Sequence, residues 1–107
     1  MASDYVVEKI VVAVGSLAVS TAPMQQRLGN AWMNALVHLR PDDFEDPRER
    51  ALFSSISDAV TAKGGVLATT ESMSDGQALA TAGDLVELLR TIALKLAVER
   101  EPPVQTD

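Results

Sequence analysis

Two prolines, Pro41 and Pro47, limit what this chain can fold into more than any other feature. A proline pushes the residue before it out of the α region, so no helix continues through Arg40 or through Asp46. Between them lies the chain's densest run of charge, in the corner Arg40-Pro41-Asp42-Asp43-Phe44-Glu45-Asp46-Pro47. On either side of the corner apolar residues recur with helical spacing. The chain is therefore expected to consist of helical segments hinged at this elbow.

Before the elbow, Val7, Ile10, Val11, Val14, Leu17 and Ala18 follow the i, i+3, i+4, i+7 pattern over about residues 4–21, with Ser3 as a candidate N-cap. Val6, Val12, Ala13 and Val19 fall off that stripe, so this helix is apolar on more than one side. Its β-branched content also suits a strand, but Glu8-Lys9 and Ser16 break any period-2 alternation. A second helix is expected from Pro23 to Leu39. Its core face is Met24, Leu28, Ala31, Trp32, Ala35, Leu36 and Leu39, and Gly29 either weakens the helix by up to about 1 kcal/mol or permits close contact with a neighbour.

After the elbow, Asp46, Pro47 and Glu49 form a start signal: an N-cap, a first-turn proline and a capping-box acid. Leu52, Phe53, Ile56, Ala59 and Val60 mark one face of the helix that follows. Glu49, Arg50, Ser54, Ser57, Asp58 and Thr61 mark the other, and Lys63-Gly64-Gly65 ends it. Residues 65–73 are expected as a connection, with Val66, Leu67 and Met73 tucked onto the core. Ser74 with Gln77 caps the last helix, which runs from Asp75 to about Arg100 and spans roughly 40 Å at about 1.5 Å per residue. In it Leu85, Leu89, Ile92 and Leu96 form one stripe, while Val86, Leu88, Ala93, Leu94 and Ala97 add a second apolar surface. Residues 101–107 carry two adjacent prolines and are expected to be a disordered tail. The architecture implied is an all-α, small four-helix bundle with a long C-terminal helix, one domain over residues 1–100.

Composition narrows the function. A net charge of −6 repels phosphate backbones, and at 4% aromatic content few rings can stack on bases, so no nucleic-acid partner is expected. The absence of cysteine removes thiolate nucleophiles, disulfides and common zinc sites, and fits a cytoplasmic protein. Residues 10–19 resemble a signal-peptide apolar region, but Asp4 and Glu8 sit where positive charge belongs. They are also too few to cross a bilayer, which takes about 20 apolar residues, so no membrane partner is expected.

No catalytic, cofactor-binding or metal-ligating constellation stands out. The serines at 54, 55 and 57 lack a glycine elbow, and His38 is the only conventional base. Asp42, Asp43, Glu45 and Asp46 could offer oxygen ligands to a hard cation, but no calcium-loop pattern surrounds them and Asp46 already serves as a cap, so a solvated, helix-capping acidic corner is the expectation. Arg27, Asn30, Asn34 and His38, spaced by 3, 4 and 4, line one helix face that could bind a small polar ligand, dock a partner or simply be solvated. The two helices apolar on more than one face carry the stronger signal. Either they are the central pair of the bundle, or part of their surface meets another chain. The interface candidates are Val6, Val12 and Val19 from the first helix and Leu85, Leu88, Leu89, Ile92 and Leu96 from the last. The expected function is thus non-catalytic: a helical protein–protein interaction module, as a homodimer or an accessory subunit. The alternative is an acidic inhibitor or immunity-type protein that masks a basic effector.

Overall fold

The computed structural model describes residues 4–100, with side chains described through position 98. The candidate cap Ser3 and the tail from Glu101 lie outside the described residues. Five α-helices follow in order: α1 (Asp4–Val19), α2 (Met24–Asn34), α3 (Pro47–Thr61), α4 (Val66–Glu71) and α5 (Asp75–Arg100). Among the described residues there is no strand, so the all-α class and the long C-terminal helix hold. The count is five rather than four, because part of the expected connection over residues 65–73 is itself helical.

That short helix is held by tertiary and hydroxyl contacts rather than by propensity. Thr69 and Thr70 are β-branched and buried, and their hydroxyls donate to the carbonyls of Gly65 at 2.7 Å and Val66 at 2.9 Å. The Lys63 N–H donates to Thr69 Oγ1 at 2.9 Å, so the same hydroxyl closes the end of α3. Val66 and Met73 pack against the core as expected. Leu67 does not: it is 65% exposed, because the turn of α4 that brings Thr69 and Thr70 inward sends it outward.

The second segment is also broken where continuity was expected. Ala35 leaves helical geometry at φ −136° and ψ −58°, and a single 3-10 turn follows at Leu36–His38. The tightened turn lets Ala35, Leu36 and Leu39 all reach the interior. A second 3-10 turn, Pro41–Asp43, forms the elbow, where Asp43 accepts from the Arg40 N–H at 2.7 Å. Asp46 accepts from the Arg48 N–H at 2.8 Å and Pro47 occupies the first turn, as the sequence signals. Ser74 and Gln77 form the reciprocal capping box at the start of α5, at 2.9 and 3.1 Å. Gly64 ends α3 at φ +90°, a conformation that disfavours any residue with a Cβ.

The core is aliphatic around one aromatic cluster. Phe53 of α3 stacks on Trp32 of α2 with centroids 5.9 Å apart, and tilts against the elbow's Phe44 at 5.0 Å. Phe44 is completely buried, so the charged corner is pinned by its one apolar residue. α1 packs against α2 and α5, α5 also against α2 and α3, and α4 bridges α2 and α3. Gly29 is what admits α4, since a Cβ there would stand 3.2 Å from Thr70 Oγ1.

Two expected faces are corrected. On α1 the buried residues are Val6, Ile10, Ala13 and Leu17, with Val7 and Val14 only partly covered and Val11 exposed. The neighbours α2 and α5 select this sector from a helix that is apolar nearly all round. On α3, Glu49 belongs to the interior at 1% exposure and not to the polar face. Its Oε2 lies 4.0 Å from Lys95 Nζ of α5, which also reaches Asp46 at 3.5 Å.

Candidate interaction surface

Helical geometry decides which of the candidate interface residues can meet another chain. Val6, Leu85, Leu88 and Ile92 are each at most 1% exposed and belong to this chain's own core, so the interface expectation is corrected for them. Leu89 and Leu96 pack partly against that core. Val12 and Val19 do face outward, and Val19 is 85% exposed. The first and last helices thus supply core and outer surface at once.

The outer surface of α5 is more apolar than a solvated helix back requires. Leu79, Val86, Leu94 and Val98 are all exposed there, Leu94 at 53% and Val98 at 72%. Ala80, Gly83, Ala93 and Ala97 lie among them, also exposed. On α1, Val11 joins Val12 and Val19, and Tyr5 lies under Lys9 with the ammonium 5.4 Å from its ring centroid. The candidate interface residues of α5 thus lie on its inner stripe, and the outer one is a different set. The usable signal was angular: residues about 180° around the helix from Leu85, at 100° per residue, must face outward once Leu85 faces in.

The polar stripe on α2 is divided by the structure. Arg27 is committed to the fold: its guanidinium donates to the carbonyls of Ala22 and of Leu17, the latter at 3.2 Å in the last turn of α1. A cation is favoured at that end, where the macrodipole is negative and carbonyls lack intrahelical partners. Asn30, Asn34 and His38 remain exposed. Asn30 lines a cleft of about 610 Å³ between α2 and α4, together with Gln26, Leu67, Glu71 and Asp75. Across its mouth Gln25 Nε2 donates to Asp75 at 2.9 Å and to the Met73 carbonyl at 3.2 Å.

At the elbow Asp42, Asp43 and Glu45 are exposed, but Asp43 is occupied by its cap. Arg50 donates to the Phe44 carbonyl at 2.9 Å and to the Glu45 carbonyl at 3.3 Å, which threads positive charge through the corner. The Asp46 carboxyl is held below its ordinary value chiefly by the Arg48 N–H, which outweighs an opposing effect of desolvation, and Lys95 lowers it further. Among the described residues no group of three or more His, Cys, Asp or Glu side chains is placed to hold a metal ion. No helix among them is long and apolar enough to cross a membrane.

No protein-family model matches the chain, and neither a curated protein nor a solved structure shows significant similarity to it.

Proposed function

We propose that the chain is a non-catalytic helical module that works by protein–protein contact and associates with a second copy of itself. One observation carries this reading: the outward faces of α1 and α5 hold exposed valines and leucines, including Val12, Val19, Leu94 and Val98. Large apolar side chains left exposed on two helices are what an interaction site would cover. A domain of this size also buries a modest share of its surface alone and gains stability by covering more. The role of an accessory subunit in a larger complex would use the same surface.

Light scattering after size-exclusion chromatography, across a hundredfold range of protein concentration, tests the proposal. The mass is expected to rise toward twice 11.4 kDa with concentration. A strictly monomeric mass throughout overturns it. The alternative of an acidic surface that masks a basic effector draws on the exposed Asp42, Asp43 and Glu45. It is the weaker reading, because Arg40, Arg48 and Arg50 flank those acids on both sides.

A further inference from the structure

The outward seam of α5 has an internal symmetry that specifies how two copies would meet. Ala80, Gly83, Glu87, Arg90, Leu94 and Ala97 are spaced by 3, 4, 3, 4 and 3 residues, the repeat of a coiled-coil seam. All six lie on the side of α5 away from Leu85, Leu88 and Ile92, which are buried. Five of the six are exposed, and the Glu87 side chain is 36% exposed. A Cβ built on Gly83 meets nothing within 4 Å, so the space above it is open.

We infer that this seam pairs antiparallel with the same seam of a second copy, about a two-fold axis level with the Leu88–Leu89 peptide. The inference rests on the self-association proposed above and specifies its surface and register. Such an axis brings Gly83 opposite Leu94 of the second copy, Ala80 opposite its Ala97, and Glu87 opposite its Arg90. The one large apolar side chain of the seam, Leu94, then faces a glycine, and alanine faces alanine. The glycine and alanines let the helix axes approach to the lower end of the roughly 8–10 Å range. Each partner of the central charge pair meets its opposite. In one chain Arg90 already lies 3.2 Å from its own Glu87, so the dimer closes four alternating charges into a ring. Arg48 of α3, 3.6 Å from Glu87, flanks that ring.

Parallel pairing lacks this complementarity. It sets Glu87 against Glu87 and Arg90 against Arg90, and leaves two Gly83 residues facing across a gap. An isologous contact requires that a surface complement itself under a two-fold rotation, and the antiparallel register meets that requirement. One helix pair is a small interface, so the association expected is weak and reversible, with a dissociation constant on the order of micromolar.

The chain contains no cysteine, which makes introduced thiols unambiguous reporters. Gly83→Cys in a tagged copy is mixed with Leu94→Cys in an untagged one under a glutathione redox buffer. The mixed disulfide is expected to dominate. Two residues at position 83 stand about 16 Å apart along the axis in this register, beyond disulfide reach. Predominant Gly83→Cys homodisulfides overturn the antiparallel register. Separately, Arg90→Glu is expected to weaken association about tenfold or more, and the double reversal Glu87→Arg with Arg90→Glu to restore it to within about threefold. Circular dichroism confirms folding of each variant. A dimer indifferent to Arg90→Glu, or one that the double reversal does not rescue, overturns the seam but not self-association. A wild-type chain that is monomeric throughout overturns both.

Discussion

Lys95 Nζ lies 4.0 Å from Glu49 Oε2 and 3.5 Å from Asp46 Oδ2, tying α5 to the first turn of α3. The pair is asymmetric: Glu49 is buried in the interior, while the Lys95 side chain remains 36% exposed. Removal of the cation withdraws one favourable partner from a carboxylate in a low-dielectric site, whereas removal of both charges relieves that cost. Lys95→Met is therefore expected to lower stability by about 1–2 kcal/mol, discounted from fully buried pairs because water reaches the lysine. Glu49→Gln combined with Lys95→Met should cost less than the sum of the single changes. Urea unfolding of the four proteins measures the coupling, and strict additivity would refute the pairing.

Arg27 joins the end of α1 to the start of α2. Arg27→Ala is expected to cost about 1–2 kcal/mol, through two lost charge-assisted hydrogen bonds to main-chain carbonyls. The distinguishing readout is local. Amide exchange in the last turn of α1 should accelerate, while the amides of α3 change only in step with global stability.

Close approach at Gly29 makes a prediction about its partner. In an open helix interior, glycine to alanine stabilises by up to about 1 kcal/mol. At Gly29 that gain meets Thr70 Oγ1 at 3.2 Å, so Gly29→Ala is expected to be near neutral and Gly29→Val to destabilise by about 2 kcal/mol. In a Thr70→Ala background the alanine should recover its benefit. Gly15→Ala, with nothing within 4 Å, serves as the unobstructed control. Thermal midpoints of the set decide the matter, and a stabilisation by Gly29→Ala equal to the control would show that the contact is not limiting.

Acid stability should carry the signature of Asp46. Its carboxyl titrates below the ordinary aspartate value of 3.8 when folded, so the unfolded chain binds the proton more readily. The stabilisation is complete above that unfolded value and is lost as pH falls through the lower folded one. Asp46→Asn retains the cap acceptor but removes the charge. Its unfolding midpoint is expected to fall less steeply below pH 4 than that of the wild type, and parallel curves would argue against the linkage.

Local chemistry in the sequence determined a good part of this fold. Pro41 and Pro47 require a corner, Asp46 starts α3, Ser74 with Gln77 starts α5, and Gly64 ends α3. Each acts through its own backbone geometry or a partner a few residues away. Only the tertiary structure decided the rest, because packing involves residues far apart in the chain. It selected the inner sector of α1 from a nearly uniform apolar surface, and placed Glu49 inside by bringing Lys95 to it. It seated α4 against α2, with Thr70 over Gly29, where the sequence alone suggested a connection. The same physics governs the candidate surface. The apolar residues of α5 were plain in the sequence, but Leu85 and Leu94 became inside and outside only when α1, α2 and α3 closed around one face of the helix.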